Sequence, residues 1–156
     1  MDRTLIILKP DCIQRNLIGR IISRFEDKGL KIIGLKMMAI TQELAHQHYA
    51  IHKGKPFYDG LIRFMTSGPV VVIALEGNNA ITVSRDMMGA TFGFKAQPGT
   101  IRGDFGVSSS FNLIHGSDSP EAAKAELERF FTPKELLEYL PATAGWVYDY
   151  SSGKPQ

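Results

Sequence analysis

Between Gly68-Pro69 and Glu76-Gly77 the chain runs Val70-Val71-Val72-Ile73-Ala74-Leu75, six consecutive apolar residues, most of them β-branched. Entered and left by turn formers, that run is the clearest strand in the sequence. A strand needs partners, and three more segments supply them. Thr4–Leu8 is short, apolar and bounded by Lys9-Pro10-Asp11, which reads as a buried strand. Lys31–Ile40 reads as the next, and Asn112–His115 as the last.

Helical patterns lie between them. Ile18, Ile21, Ile22 and Phe25 recur at helical spacing until Gly29 stops the helix. Thr41 caps a helix expected over Gln42–Ile51, and a turn at Gly54-Lys55-Pro56 precedes a short helix around Asp59–Thr66. A helix over Ala80–Met88 leads into an irregular stretch from Gly89 to Ser110. That is long for a structureless connection, and such loops in compact domains are usually functional. Ser119-Pro120-Glu121 opens a further helix with a capping hydroxyl, a first-turn proline and an acid at the positive helix end. Thr132-Pro133-Lys134-Glu135 repeats the device, with Glu135 spaced for a capping box.

The order β-α-β-α-α-β-α-loop-β-α-α divides its strands as two βαβ units. This predicts an α+β fold with a ferredoxin-like βαββαβ core, a four-stranded antiparallel sheet with helices packed on one face. With no repeat or linker, residues 1–150 are expected to form a single domain and the polar 151–156 a loose tail.

The chain has 156 residues, 44% hydrophobic and 22% charged, which excludes a disordered or collagen-like polymer and suffices for a core. Eighteen Lys+Arg against sixteen Asp+Glu give +2, too balanced for a general nucleic-acid binder. A local basic pocket for phosphates remains open. No stretch approaches the ~18 apolar residues of a membrane span. The apolar run behind Met1 ends at Lys9, too soon for a signal peptide. Cys12, the only cysteine, cannot form an internal disulfide. A cytoplasmic protein is expected.

The most informative segment is Asn112-Leu113-Ile114-His115-Gly116-Ser117-Asp118-Ser119. An apolar strand ends in an imidazole, Gly116 removes bulk beside it, and a helix N-terminus that favours anions follows. A neutral histidine attacks through one ring nitrogen while an acceptor holds the other, and Glu126, two turns into that helix, is a candidate acceptor. The same residues also fit a histidine satisfied at a strand end, and pattern alone favours that plainer reading. Arg85 and Arg102 flank the long loop with Thr91 between them; guanidinium forks and a hydroxyl suit a polyphosphate, but arginine pairs are ordinary. Lys9, at the end of the first strand, is either a surface lysine or a further cation for that pocket. Phe57, in a turn after Pro56, either stacks on a base without reading its edges or folds back on the core. His46, His48 and His52 raise the question of a metal, but without a Glu placed as in His-Glu-x-x-His they read as an exposed helix face. Neither a Walker-type loop nor a Gly-x-Gly-x-x-Gly fingerprint occurs, so any nucleotide is held by side chains.

Together the segments resemble the nucleoside diphosphate kinases. The resemblance rests on Thr4–Asp11, Ile18-Gly19-Arg20, Pro56-Phe57-Tyr58, Met65–Val70, Met88-Gly89-Ala90-Thr91, Pro98–Phe105 and, most specifically, Asn112 through Ser119, and it spans Arg3 to about Tyr148. It reverses the preference for the plain reading of His115. By position it implies that His115 takes up the terminal phosphoryl of ATP and passes it to a nucleoside diphosphate by a ping-pong mechanism. It implies that Glu126 orients that ring with Ser117 in its network, and that Tyr49 lies beside the phosphoryl group. Lys9 and Asn112 would meet ribose and phosphate oxygens, Arg85, Thr91 and Arg102 would clamp phosphate, and Phe57 would stack on the base. Mg²⁺ would come held mainly by the nucleotide phosphates, with no dedicated protein metal site. The family also implies a homo-oligomer, a hexamer rather than a tetramer; the charge balance and the lack of an apolar span give no nucleic-acid or membrane partner to expect.

One departure stands out. After Gly89-Ala90-Thr91 the family usually continues Asn-Pro, and this chain has Phe92-Gly93-Phe94. Gly93 is expected to loosen the loop that proline would stiffen, which weakens the likeness to a hexamer, while two exposed phenylalanines could form an interface patch. Cys12 reads as structural. Two other readings compete: a nucleotide- or nucleic-acid-binding module, whose expected sign is a missing nucleophile or broken clamp, and a phosphocarrier that passes the phosphoryl from His115 to another protein.

Overall fold

The computed structural model describes residues 1–156. Its elements are β1 (Asp2–Leu8), α1 (Pro10–Gln14), α2 (Ile18–Asp27), β2 (Lys31–Ala39), α3 (Gln42–His48), α4 (Tyr58–Met65), β3 (Pro69–Gly77), α5 (Ala80–Met88), α6 (Ile101–Phe105), β4 (Ile114–Gly116), α7 (Pro120–Phe130) and α8 (Ala144–Val147). Tighter 3₁₀ turns stand at Ala50–His52, Gly93–Lys95 and Pro133–Glu135. The sheet order is β2-β3-β1-β4 with every neighbouring pair antiparallel. With α2 linking β1 to β2 and α5 linking β3 to β4, this is the ferredoxin-like core that the element order predicts.

Helices cover both faces of the sheet rather than one. Leu5 and Ile7 of β1 join Val70, Val72 and Ala74 of β3 in one core, beneath α3, α4 and α7. Ile6 and Leu8 join Val71, Ile73 and Leu75 in the other, beneath α1, α2, α5 and α6. The cause lies in the two central strands, which are apolar at successive positions instead of alternating, so that each face must be buried. Leu5 through Leu8 are all fully buried. Truncating one of them to alanine should therefore destabilise the fold by about 2–5 kcal/mol.

Three local expectations are corrected. The stretch Gly89–Ser110 contains α6, a five-residue helix too short to announce itself by periodicity; Thr100 Oγ1 caps it by accepting from Gly103 N at 3.0 Å. Gly93 does not loosen its loop. It is buried at the start of a 3₁₀ turn, and a Cβ there would lie 2.5 Å from the Gly106 backbone, so its smallness permits two backbone segments to touch. Beyond Thr132 the capping box forms, with Glu135 Oε2 accepting from Thr132 N at 2.7 Å, but only one 3₁₀ turn follows. The chain turns extended because Leu137 N donates to Ile33 O at 2.8 Å, where β2 bulges between Ile32 and Gly34. At the C-terminus, Pro155 O accepts from Asn78 Nδ2 at 2.9 Å. No helix is long and apolar enough to cross a membrane.

Candidate active site

His115 sits in the middle of the three-residue strand β4, opposite Ile7 of β1, with its side chain 23% exposed. The segment leading to it is unusual. Leu113 has φ +72°, a left-handed conformation that a non-glycine residue rarely adopts. It persists because the backbone around it is held from several sides. Leu113 N donates to Asp11 Oδ2 at 3.0 Å, and Leu113 O accepts from Lys9 N at 2.8 Å. Arg102 donates to Asn112 O at 3.2 Å, to Ile114 O at 2.6 Å and to Gly89 O at 3.1 Å. Arg85, on α5, donates to Gly116 O at 3.2 Å. Gly116 is needed for its size: a Cβ there would lie 2.6 Å from Met88 Sδ.

The imidazole is held by a carboxylate. His115 Nε2 lies 3.1 Å from Glu126 Oε2 on α7, and Ser117 Oγ donates to the same oxygen at 2.6 Å while accepting from Leu5 N at 3.2 Å. Burial alone would raise the Glu126 pKa, but the hydrogen bonds from His115 and Ser117 and the nearby charge outweigh it and hold the carboxyl below its ordinary range. An ionised Glu126 fixes the proton on His115 Nε2 and leaves the Nδ1 lone pair unclaimed.

Cations converge on the segment that carries the ring. Lys9 is buried, and its Nζ donates to Asn112 Oδ1 at 2.6 Å, while Asn112 Nδ2 donates to Thr91 O at 2.9 Å. The Lys9 pKa is pushed down to about 8, chiefly by burial and then by Arg102, with Asp11 partly offsetting. Burial and Arg85 lower that of Arg102 as well. Two buried cations with so little compensating charge are poised for an anion. The Thr91 hydroxyl is exposed and unbonded.

A row of rings leads away from His115. Tyr49 meets His115 at 6.4 Å between centroids, His52 stacks on Tyr49 at 6.4 Å, and Phe57 packs against His52 at 5.3 Å. Phe57 is 52% exposed, which decides between its two readings: the ring stands on the surface and not in the core. Tyr49 is buried with an unpartnered hydroxyl, and burial followed by the Glu126 charge raises its pKa.

His48 corrects the sequence reading most sharply. Helix α3 ends at His48, His52 lies in a separate 3₁₀ turn, and His48 is 8% exposed instead of lying on a solvated face. Its ring meets that of His115 at 4.7 Å and nearly at a right angle. With His115 and Glu126 it forms the chain's one cluster of metal-capable groups, their ligand atoms within 4.8 Å. Mg²⁺ prefers oxygen, and two of the three ligands in this cluster are imidazole nitrogens. Asp11 and Arg129, which hold Leu113 and His48, were not singled out from sequence. The signal for His48 was its position three residues beyond the buried Ala45 on the same helix. Cys12 is buried and its pKa is pushed up to about 12 by burial, which makes the thiol inert. A cleft of about 780 Å³ lined by Arg3, Ile81, Lys124, Leu127 and Phe131 contains none of the candidate residues.

Residues 2–136 match the protein family described as "Nucleoside diphosphate kinase". The chain belongs to that family. It is 55% identical over 149 residues to the nucleoside diphosphate kinase of Carboxydothermus hydrogenoformans, which covers 96% of this chain and all of the relative. Among solved structures, a halophilic nucleoside diphosphate kinase from Halobacterium salinarum in complex with CDP superposes with a TM-score of 0.93 at 49% identity, covering 95% of this chain and 99% of that one. A nucleoside diphosphate kinase family protein from Babesia bovis gives 0.92 at 45% identity, covering 95% and 100%. The kinase fold and activity are thus shared along almost the whole chain. Phe92 and Phe94 stack 14° from parallel at 5.9 Å and are 43% and 60% exposed.

Proposed function

We propose that the kinase works by a ping-pong mechanism in which His115 carries the phosphoryl group on Nδ1. The observation that carries the reading is the Ser117–Glu126–His115 Nε2 chain on the short strand β4, beside Lys9, Arg85 and Arg102. The Nδ1 lone pair forms a bond to the terminal phosphorus of ATP as the bond to the bridging oxygen breaks, and the nucleoside diphosphate departs with that oxygen. A second nucleoside diphosphate reverses the step. In such a transfer the protein chiefly positions groups and neutralises charge on the phosphoryl oxygens. Lys9, Arg85 and Arg102 supply the charge, Asn112 and Thr91 the neutral hydrogen bonds, and Tyr49 shields the ring. Phe57 stacks on the base through its π face and so accepts purine and pyrimidine alike.

Mg²⁺ belongs to this reading as a companion of the nucleotide phosphates. The chain's own donors fit that arrangement: the clamp is cationic, and its nearby carboxylates, Asp11 and Glu126, are engaged with Leu113 N and His115. The ion supplies charge neutralisation on the phosphates when bound. A homo-oligomer, a hexamer rather than a tetramer, a cytoplasmic location, and a single domain through residue 150 complete the reading. No regional basic excess favours a nucleic-acid partner.

Initial rates with ATP and a second nucleoside diphosphate varied together test the mechanism. Parallel double-reciprocal lines are expected, and intersecting lines would mean direct transfer in a ternary complex. Light scattering tests the assembly, with six chains expected.

A further inference from the structure

The buried histidine beside the proposed nucleophile has no role in the reading above. His48 Nδ1 lies 3.2 Å from Arg129 Nη1, and a guanidinium only donates, so Nδ1 accepts and the His48 proton resides on Nε2. That Nε2–H is buried and has no acceptor. Buried donors of this kind are rare, and each calls for an explanation. The ring is wedged at steep angles among Tyr49 at 4.5 Å, His115 at 4.7 Å and Phe130 at 5.1 Å. A lone pair for a metal would need the other tautomer, which Arg129 opposes.

We propose that Arg129 and His48 form a positioning pair, in which Arg129 fixes the His48 tautomer and His48 fixes the ring plane of His115 so that Nδ1 faces the phosphate clamp. His48 touches the nucleophile's ring and no reacting atom, so it acts through His115. Glu126 fixes one ring atom, which leaves rotation about that hydrogen bond free; a second contact at right angles removes it. Burial, and then the neighbouring His115, also keep His48 neutral, with its pKa lowered to about 3, so no second cation competes for Glu126. Small losses of alignment in the reacting pair reduce turnover steeply while leaving nucleotide binding alone.

This inference rests on His115 as the nucleophile, and its test separates the two. In the unliganded wild-type protein, ¹H–¹⁵N correlations of the histidine rings should show His48 as the Nε2–H tautomer, a result independent of activity. His48→Phe, which keeps a ring but no acceptor for Arg129, and Arg129→Met should each lower kcat about tenfold. KM for both nucleotides should stay within twofold, and Arg129→Lys should recover most of the loss. Wild-type phosphoenzyme formation checks the underlying reading separately. A His48 resonance with the proton on Nδ1 would overturn the proposal. So would unchanged kcat in both variants, or losses that appear only in KM or only in step with a lowered Tm, including a Tm-linked failure of either variant to fold.

Discussion

The two flanks of His115 are built on opposite plans. On the proposed phosphate side, Lys9, Asn112 and Arg102 are buried and tied to one another or to backbone carbonyls, so the two cations are fixed in place before a ligand arrives. On the proposed base side, Phe57 stands half exposed at the end of a row of rings, held by an edge contact to His52 and by the Lys55 ammonium 5.7 Å from its centroid. Charge developing on a transferring phosphoryl group rewards preorganisation, because no reorganisation is then needed during the reaction. A base that must be bound whatever its edges rewards an adaptable surface. In the proposed mechanism, rigidity lies where the phosphoryl group is transferred and is absent where selectivity would be a liability.

The sharpest way to break this contrast is to remove the clamp. Arg102→Ala deletes two hydrogen bonds to carbonyls of the segment that carries His115 and a third to Gly89 O at the end of α5, as well as a cation. Turnover should fall by about 10²–10³ with a smaller rise in KM. Tm should drop too, because buried carbonyls lose their donors. A variant with unchanged kcat and poorer KM would show that Arg102 serves ground-state binding only.

A smaller effect follows from Lys9. Its pKa near 8 lies below the ordinary 10.5, so the folded protein loses this proton before the unfolded chain does. The clamp loses a charge above about pH 8, and kcat/KM should decline there. Stability should not decline with it, because from pH 8 to 10.5 the unfolded state binds more protons and this group's contribution rises with pH. A pH profile of kcat/KM beside thermal melts checks both; a flat kcat/KM through pH 9 would remove Lys9 from the clamp.

On the base side, Phe57→Ala should raise KM about fivefold to tenfold for every base with little change in kcat, since a stacked base contributes about 1–3 kcal/mol. Loss confined to purines would mean that the ring discriminates after all. The smallest effect concerns acid stability. His48 is neutral in the folded protein down to about pH 3, whereas an unfolded histidine protonates near 6.5, so stability should fall as pH drops through that window, by at most about 1.4 kcal/mol per unit. Arg129, His115, Lys9 and Glu126 all face this ring, and Glu126, with its lowered pKa, adds a decline of the same sign. His48→Phe should flatten the melting-temperature profile between pH 6.5 and 5.

The sequence made the fold order and the charged residues legible because both write themselves in local patterns. The apolar run of β3, the Gly29 stop and the Ser119 cap each depend on neighbours in the chain, and each element formed where those signals stand. The tautomer of His48, the left-handed Leu113 and the packing of Gly93 on Gly106 depend on partners 81, 102 and 13 residues away. Such contacts leave no periodicity to read. The second covered face of the sheet was legible in principle, since β1 and β3 never alternate. The length of α6 was not, because five residues carry less than two turns of pattern.

The proposed mechanism stands on His115 as the phosphoryl carrier. Intact mass after incubation with ATP and Mg²⁺, followed by a GDP chase, tests it most directly. One acid-labile phosphoryl group is expected, mapped to His115, absent from His115→Ala and discharged as GTP. No added mass in a protein that still exchanges phosphoryl groups between nucleotides, or an added group that persists in His115→Ala, would contradict it.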